Sequence, residues 1–425
     1  MAALWKAVPE APADPILGVA AAFRADPSPN KVNLGVGAYR TEHGKPYVLP
    51  VVARVHRELL DDGVDHEYLP MEGYAPFISA AERVILGDAA AALREGRVAS
   101  VQALSGTGSL RVAFEFLKRF YRPRAGAGDA GSLPKVYVPS PTWSNHRQIV
   151  PDAGLGDAVL YRYFNAKTHG VDFSGMCADL RAAPPGSVVL FHGCAHNPTG
   201  ADPTMEQWVQ LLDICKSGSL LPLFDNAYQG FASGDLNRDA ASVRLFADAG
   251  IDLIITQSFA KNMGLYGERV GCLSVVMSSP CSPEIRTRVL SQLKLVVRPM
   301  YSSPPALGAK IAARILGEPG LFAEWNTELQ KMSSRIYAMR VALRDRLIAN
   351  GAPGSWQHVV DQIGMFSFTG LTPQQVAYMV EKHHIYLTSN GRISIAGLNP
   401  SNINYVADAM KDAIEAHPSG DASKL

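Results

Sequence analysis

The chain has 425 residues, of which 47% are hydrophobic, and its 40 basic and 39 acidic residues give a net charge of +1. This balance predicts neither a basic surface for nucleic acid nor an acidic tail. No apolar stretch is long enough to cross a membrane. We therefore expect no nucleic-acid or membrane partner. The length exceeds the size at which a single hydrophobic core stops growing, so we expect two domains.

The cysteines and the N-terminus indicate the compartment. The five cysteines are an odd number without a CxxC spacing, which is typical of reduced thiols. The first ten residues include one lysine and an early glutamate, unlike an arginine-rich transit peptide or a secretory signal. We therefore expect a cytoplasmic protein, with an organellar form that has lost a presequence as the alternative.

Hydrophobic runs and turn residues predict a mixed α/β chain. The predicted helices, in chain order, are 17–24, 51–63, 75–95, 108–121, 173–182, 204–216, 239–249, 306–350 with a break near Pro319, 373–382 and 400–415. The predicted strands are 31–40, 98–104, 135–139, 158–164, 187–192, 220–224, 252–257, 269–277, 359–367, 385–387 and 392–396. The alternation after residue 98 predicts βαβ units and a mostly parallel sheet, and the last strands predict a smaller domain. A Gly/Ala patch at 125–131 is expected to be a surface loop.

A lysine follows the predicted strand 252–257. Lys261 lies in the segment 258–269 (SFAKNMGLYGER), a loop of small and polar residues at a strand end. Loss of solvation and the nearby Arg269 both lower a lysine's pKa and leave part of it as a free amine, which condenses with aldehydes. A surface lysine beyond a strand end is the alternative interpretation.

Two more predicted strand ends carry groups suited to a cofactor. The segment 105–109 (SGTGS) offers amide and hydroxyl donors to an anion such as phosphate, with a tight, polar-capped turn as the alternative. Arg111 replaces the third glycine of a dinucleotide fingerprint, which disfavours a nicotinamide dehydrogenase. Asp225 ends the strand 220–224 and could either pair with a protonated pyridine nitrogen or cap a helix.

An amide and two arginines complete the candidate site. Asn197 precedes Pro198, which favours an extended backbone with the amide directed from a strand end. Arg298 and Arg392 each stand beside apolar residues that we interpret as strand residues. That setting favours bidentate binding of a carboxylate, and ordinary surface ion pairs are the alternative.

The chain resembles the eukaryotic aspartate aminotransferases, which belong to the fold-type-I pyridoxal-phosphate enzymes. The resemblance rests on SFAKNMGLYGER at 258–269, AHNPTG at 195–200, DNAYQGFASG at 225–234 and DQIGMFSFTG at 361–370, and it runs from about residue 12 to about 410. It implies a large cofactor-binding domain with a mostly parallel seven-stranded sheet covered by helices, and a smaller α+β domain. The implied bounds are 46–322 for the large domain, and 1–45 with 323–425 for the small one.

The resemblance also implies which residues bind pyridoxal 5'-phosphate. Lys261 would form a Schiff base with the cofactor aldehyde and carry the proton between the substrate Cα and the cofactor. Asp225 would keep the pyridine nitrogen protonated, supported by His146, with His192 as a further candidate for that support. The remaining implied contacts are those of Tyr228 and Asn197 with the ring oxygen, of Trp143 with the ring face, and of Ser105, Gly106, Thr107, Ser258, Arg269 and, across a dimer interface, Tyr68 with the phosphate.

The implied reaction is reversible amino-group transfer between L-aspartate and 2-oxoglutarate by a ping-pong mechanism, giving oxaloacetate and L-glutamate. Arg392 would bind the α-carboxylate, and Arg298 would reach the distal carboxylate across a homodimer interface. The other implied substrate contacts are Gly37, Trp143, Asn197 and Phe366. Cytosolic and mitochondrial members of the family resemble each other closely, so a mitochondrial location is the alternative to the cytoplasm.

Three positions depart from the common family pattern. Met71 and Glu72 replace the usual apolar or glycine pair after Tyr68-Leu-Pro, Ser303 stands where asparagine is usual, and Gly193 stands where alanine is usual. We expect Glu72 to face solvent or to pair with a cation. A broader-range aminotransferase that also accepts aromatic amino acids is the rival function, and a non-catalytic binding module on this scaffold is the alternative from another class.

Overall fold

A computed structural model describes residues 5–11, 17–35, 37–123 and 132–418. The strands are β1 (Val32–Asn33), β2 (Val98–Leu104), β3 (Val136–Ser140), β4 (Val159–Arg162), β5 (Phe164–Asn165), β6 (Gly170–Val171), β7 (Val188–His192), β8 (Leu221–Asn226), β9 (Leu253–Ser258), β10 (Val270–Val276), β11 (Phe366–Phe368), β12 (Ile385–Tyr386) and β13 (Arg392–Ser394). The predicted surface loop at 125–131 lies outside the described residues.

The α-helices surround these strands. They are α1 (Leu17–Ala25), α2 (Pro50–Asp61), α3 (Ala75–Leu86), α4 (Ala91–Arg94), α5 (Ser105–Phe120), α6 (His146–Asp152), α7 (Phe173–Arg181), α8 (Met205–Ser217), α9 (Leu236–Asp239), α10 (Ala241–Asp248), α11 (Pro283–Tyr301), α12 (Leu307–Gly317), α13 (Pro319–Ala349), α14 (His358–Asp361), α15 (Pro373–His383) and α16 (Ile403–Ala416). Across the described ranges, none of them combines the length and the apolar character that a membrane span needs.

One sheet of seven strands dominates the molecule, in the order β2-β10-β9-β8-β7-β3-β4. β10 runs antiparallel to β2 and β9, and the other neighbours are parallel. Along β7, Val189 and Phe191 pack into the apolar cluster on one face, while Val188 and Leu190 pack into the cluster on the other. Helices therefore cover both faces, which explains why the strands are continuously apolar. The predicted mostly parallel seven-stranded sheet is confirmed.

Parallel pairing brings the polar strand ends level at one edge of this sheet. His192 on β7 is the register partner of Asp225 on β8, and Asp225 is the partner of Thr256 on β9. Ser258 ends β9, and α5 begins at Ser105 directly after β2. Ligands of such sheets bind outside the carboxyl ends of the strands, so this edge is the expected position of a site.

The two ends of the chain meet beside the large sheet. β1 pairs in parallel with β12, and β11 pairs antiparallel with β13. A large apolar cluster connects these ladders to α13 and α16. This pairing is what the implied small domain requires, and its boundaries at residues 45 and 323 stay predictions.

Several local predictions are wrong. The helix predicted at 75–95 is broken after α3, where Gly87 adopts φ of 90°. The strand predicted at 359–367 is helical at first, over α14, and becomes extended only from Phe366. The strand predicted at 158–164 ends at Arg162, and its last residues form a separate hairpin, β5 with β6.

The longest element that the sequence analysis missed is α11. Leu293, Val296 and Val297 are buried on one side of this helix at spacings of three and four residues. The run of apolar residues that precedes Arg298 resembles a strand when read alone, and this explains why its helical spacing was overlooked.

Candidate active site

A cavity of about 230 Å³ lies at the carboxyl ends of β2, β8 and β9. The residues that line it are Gly37, Ser105, Gly106, Thr107, Trp143, His192, Asn197, Asp225, Ala227, Tyr228, Ser258, Ala260, Lys261, Tyr266, Arg269, Phe366 and Arg392. Asp225 is the only acidic residue among these, whereas Lys261, Arg269 and Arg392 are basic. The cavity is therefore suited to an anionic ligand.

The cavity contains every predicted site residue except His146, Tyr68 and Arg298. His146 is fully buried directly behind Asp225. Tyr68 is 85% exposed, and the exposed Arg298 donates from Nη1 to Ser302 Oγ at 2.6 Å. The interpretation of Arg298 as a neighbour of strand residues is wrong, because it lies in the last turn of α11. Within one chain, neither Tyr68 nor Arg298 lines the cavity.

Asp225 is the last but one residue of the buried strand β8, and a histidine holds its carboxylate. Its Oδ2 lies 3.1 Å from His146 Nε2, and the carboxyl group is only 7% exposed. Burial by itself raises the pKa of Asp225, but the His146 hydrogen bond and the surrounding positive charge outweigh burial and keep that pKa below its ordinary value. An ionised carboxylate at the cavity floor can hold a protonated ring nitrogen.

A chain of hydrogen bonds fixes the orientation of His146. The backbone N–H of Asn197 can only donate, and it lies 3.2 Å from His192 Nδ1, so His192 carries its proton on Nε2. That Nε2 donates to Thr142 Oγ1 at 3.2 Å, and the Thr142 hydroxyl donates to His146 Nδ1 at 2.8 Å. His146 consequently donates its Nε2–H to Asp225. Burial lowers the pKa of His192 to about 3, which keeps this ring neutral and able to accept.

The side chain of Lys261 carries an amine into the cavity. Its Nζ lies 5.1 Å from the centroid of the Tyr228 ring. Burial lowers the pKa of Lys261, Asp225 opposes this shift, and Arg269 adds to it, with a net result below the ordinary value. The amine is therefore more nucleophilic at neutral pH than that of a solvated lysine.

One end of the cavity, which we call the phosphate end, carries hydrogen-bond donors suited to a phosphate. The hydroxyl oxygens of Ser105 and Ser258 are 2.8 Å apart beside the start of α5. The Ser105 N–H donates to Arg269 O at 3.1 Å, and the next N–H groups of the first helical turn have no partner within the helix and can donate to an anion. Arg269 lines the same end. The backbone of β10 lies close to the start of α5 here, because a Cβ on Gly271 would lie 2.5 Å from the Ser105 carbonyl carbon. Hydroxyls, helix amides and a guanidinium together form a donor set for a phosphate dianion.

Asn197 forms hydrogen bonds with both Tyr228 and Arg392. Its Nδ2 donates to Tyr228 Oη at 3.4 Å, and its Oδ1 accepts from Arg392 Nη1 at 3.4 Å. Burial raises the pKa of Tyr228 far above its ordinary value, so the phenol stays protonated and can donate to a ring oxygen.

Arg392 is a buried cation without an acidic partner among the described residues. It is 3% exposed, it donates from Nη2 to Gly35 O at 2.8 Å, and its guanidinium lies 4.3 Å from the centroid of the Phe366 ring. Its Nε has no hydrogen-bond partner. Burial lowers the pKa of Arg392 to about 10, so it remains charged at neutral pH. A carboxylate in the cavity would supply the missing counter-charge.

The sequence analysis missed two residues of the site. Thr142 occupies the centre of the hydrogen-bond chain, and Tyr266 accepts the backbone N–H of Tyr39 at 2.9 Å. Tyr266 thereby ties the N-terminal segment to the loop of Lys261. Tyr266 lies inside the segment 258–269 and Thr142 lies directly before Trp143, but only distances show what their hydroxyl groups contact.

These residues fit pyridoxal phosphate. Asp225 offers a carboxylate for the pyridine nitrogen, Lys261 offers an amine for the aldehyde, and Ser105, Ser258 and Arg269 offer donors for the phosphate. The group requires no metal ligands, and the described residues contain no cluster of His, Cys, Asp and Glu that could hold a metal ion.

Glu72, which departs from the family pattern, forms an ion pair with a lysine. Its Oε1 lies 3.0 Å from Lys294 Nζ, and both side chains are about 30% exposed. The expectation that Glu72 pairs with a cation is confirmed. Ser303 donates its backbone N–H to Tyr301 O at 2.7 Å. This contact involves only the backbone, so it does not depend on whether the side chain is serine or asparagine.

Comparison with known sequences identifies the family. The family model described as aminotransferase class I and II matches residues 29–410. Aspartate aminotransferase 1 of Medicago sativa is 54% identical over 401 residues, which cover 94% of this chain and 93% of the relative. The mitochondrial aspartate aminotransferase of Xenopus tropicalis is 50% identical over 406 residues, covering 96% and 92% of the two chains.

Solved structures agree with this assignment. The cytoplasmic aspartate aminotransferase of Saccharomyces cerevisiae superimposes with a TM-score of 0.93 at 43% identity, covering 97% of this chain and 99% of that one. An aromatic-amino-acid aminotransferase from Burkholderia pseudomallei, covalently bound to pyridoxal phosphate, gives a TM-score of 0.91 at 42% identity over 97% and 99%. The chain belongs to the aminotransferase class I and II family of pyridoxal-phosphate-dependent enzymes.

Proposed function

We propose that the chain is an aspartate aminotransferase, which transfers an amino group reversibly between L-aspartate and 2-oxoglutarate to give oxaloacetate and L-glutamate. The observation that carries this proposal is the unpaired Arg392 guanidinium, which lies in one cavity with Lys261 and Asp225. A buried cation beside a nucleophilic amine suits a substrate with a carboxylate next to the reacting carbon. The names of the relatives above support aspartate as that substrate.

The residues divide the chemistry among them. Bound pyridoxal phosphate supplies an electron sink for negative charge that develops at the substrate Cα. Asp225 holds the proton of the pyridine nitrogen in place, and His146 keeps that carboxylate oriented. Arg392 binds and orients the α-carboxylate. The Lys261 amine, which can exist uncharged, accepts the proton at Cα and returns it.

A dicarboxylate needs a cation for its second carboxylate, and the described residues of one chain place no further cation in the cavity. Among the basic residues of the cavity, Arg269 belongs to the phosphate end, Lys261 reacts, and Arg392 serves the first carboxylate. We therefore include a homodimer in the proposal, with Arg298 reaching the distal carboxylate of the partner's substrate and Tyr68 reaching its cofactor phosphate. The exposure of both side chains to solvent in the isolated chain supports this arrangement.

A broader-range aminotransferase is the second candidate. An aromatic-amino-acid aminotransferase is nearly as similar in structure, with a TM-score of 0.91 against 0.93 for the yeast aspartate enzyme. Aromatic substrates carry one carboxylate and need Arg392 but no second arginine. The two functions are therefore distinguished at Arg298.

The substitution Arg298→Leu tests both candidates. We expect kcat/KM for aspartate to fall about a hundredfold, because a bidentate ion pair is lost, while any activity with phenylalanine changes little. Arg288→Leu is the matched control, since Arg288 is an exposed arginine of the same helix. Equal losses with both amino acids would contradict the role of Arg298, and no activity of the unmodified enzyme with aspartate would contradict the proposed function.

The compartment belongs to this proposal as well. The relatives include cytoplasmic and mitochondrial enzymes, and we propose the cytoplasm for this chain. Fractionation of cells that express the chain with a C-terminal tag should recover it with cytosolic markers. Recovery with mitochondrial markers would contradict the proposed location.

A further inference from the structure

Tyr68 and Arg298 lie on two segments that meet at one buried glutamine. The Tyr68 loop comprises residues 68–74, and the α11 turn comprises residues 298–305 at the end of α11. Gln102, fully buried on β2, contacts both. β2 is an edge strand of the large sheet, so one side of it is free to pair with these segments.

Gln102 binds the Tyr68 loop through its backbone and its side chain. Its backbone N–H donates to Glu72 O at 2.8 Å, and its Oε1 accepts from the Tyr74 N–H at 3.0 Å. Between these two contacts, Gly73 adopts φ of 102°, and a Cβ there would lie 2.3 Å from Gln102 Cβ. The loop therefore follows the surface of Gln102 closely, in a conformation that favours glycine.

The same side chain also binds the α11 turn. Gln102 Nε2 donates to Pro305 O at 2.8 Å, and the Tyr301 hydroxyl donates to Gln102 O at 3.4 Å. One buried amide group thus joins two segments that are about 230 residues apart in the chain.

An ion pair makes a second connection between the two segments. Lys294 lies four residues before Arg298 on α11, one helical turn away, and its Nζ contacts Glu72 at 3.0 Å. Glu72 in turn lies four residues after Tyr68. Polar contacts therefore hold the helix of Arg298 and the loop of Tyr68 together at two points.

We infer that Gln102 is a positioning residue for the active site of the partner subunit. Supported by the Glu72–Lys294 pair, it fixes Tyr68 and Arg298 relative to each other, so that the partner's site receives a phosphate contact and a carboxylate contact from one rigid unit. This inference rests on the homodimer of the proposed function. It predicts that a change at Gln102 weakens substrate binding in the site of the other chain.

Hybrid dimers test this directly. Two differently tagged chains are co-expressed, one carries Lys261→Ala, and the hybrid is purified through both tags. The only reactive site then uses the lysine of one chain and receives Tyr68 and Arg298 from the Lys261→Ala chain. Gln102→Met removes the side-chain hydrogen bonds at similar volume, and it is placed either on the chain with the reactive lysine or on the Lys261→Ala chain.

The placement decides the outcome. We expect KM for aspartate and for 2-oxoglutarate to rise about tenfold, with kcat changed much less, only when Gln102→Met is on the Lys261→Ala chain. Equal KM values for the two placements, or a rise confined to the other placement, would overturn the inference. Ser100→Ala is the control, because it removes a buried hydrogen bond from the same strand without a contact to either segment, and it should leave both hybrids unchanged.

Two further hybrids separate this inference from the function it rests on. Arg298→Leu, tested in the same two placements, should raise KM only when it is on the Lys261→Ala chain. If it acts from the chain with the reactive lysine instead, the shared site and the inference both fail. If Gln102→Met prevents folding, Lys294→Met takes its place, because it breaks the partly exposed Glu72–Lys294 pair. Placed on the Lys261→Ala chain, Lys294→Met should raise KM about two- to fivefold, and an unchanged KM would overturn the inference.

Discussion

Arg392 Nη2 donates to the backbone carbonyl of Gly35 at 2.8 Å, which joins the C-terminal strand β13 to the N-terminal segment of the chain. This contact orients the guanidinium without neutralising it. A buried charge that lacks a counter-ion carries a desolvation cost, and a bound carboxylate removes much of it. The arrangement thus favours ligand binding over the stability of the empty protein.

Arg392→Leu tests this balance. We expect the free energy of unfolding of the cofactor-free protein to change by less than about 1 kcal/mol, because the lost hydrogen bonds and the relieved desolvation offset each other. kcat/KM for aspartate should fall at least about a hundredfold. Urea unfolding and steady-state kinetics measure the two quantities. A loss of several kcal/mol of stability would show instead that Arg392 is mainly structural.

The lowered pKa of Lys261 predicts its reactivity. In the cofactor-free protein, reductive methylation of Lys261, followed by peptide mass spectrometry, should reach half its maximal rate below the ordinary lysine pKa. Asp225 raises the pKa of Lys261 and Arg269 lowers it, so Asp225→Asn should shift the midpoint down and Arg269→Gln should shift it up. A midpoint at the ordinary lysine pKa would contradict the effect of burial.

The His146–Asp225 hydrogen bond predicts a stability that depends on pH. The pKa of Asp225 is lowered in the folded protein, so its contribution is present above the unfolded pKa of about 3.9 and is lost as pH falls through the folded pKa. His146→Phe should therefore cost about 1.5–3 kcal/mol at pH 7, and less once Asp225 is protonated in acid. Urea unfolding at a series of pH values measures this.

Thr142→Val gives a graded comparison for that experiment. It keeps His146 but removes the hydroxyl that fixes its donor nitrogen, so we expect a smaller cost of about 1 kcal/mol. A cost for His146→Phe that does not vary with pH would mean that the lost packing, rather than the hydrogen bond to Asp225, dominates.

Gly271 maintains the phosphate end of the cavity. A Cβ there would lie 2.5 Å from Ser105 C and 2.6 Å from Gln257 O, so Gly271→Ala should cost about 1–3 kcal/mol of stability and weaken the binding of pyridoxal phosphate. Gly267→Ala is the control, since Gly267 lies in the loop just before β10 and a Cβ there meets no described residue within 4 Å. Fluorescence titration of both cofactor-free variants measures the affinity, and unchanged binding by Gly271→Ala would contradict this account of the phosphate end.

The strands that carry the site could be predicted from the sequence, because their apolar runs are strong local signals. Asp225, Ser258 and Lys261 follow such runs, so the topology of a parallel sheet is enough to bring them together. The helix α11 could not be found in this way, because the apolar residues before Arg298 fit two periods and only packing decides between them.

Contacts between distant residues were also beyond local signals. Thr142 shows no pattern of its own, and its role depends on a hydroxyl that lies between two imidazoles from different segments. Gln102 reads as one polar residue in an apolar strand, and its role depends on contacts with residues 72, 74 and 305. Such roles follow from three-dimensional distances rather than from sequence spacing.

The most direct test of the central claim is the absorbance spectrum of the purified enzyme with pyridoxal phosphate, recorded before and after addition of aspartate. We predict a visible band of the bound cofactor that aspartate bleaches and 2-oxoglutarate restores, and the absence of this cycle in Lys261→Ala. A protein that binds pyridoxal phosphate without this band, or whose band does not respond to aspartate, would contradict the assignment of Lys261 and of the proposed reaction.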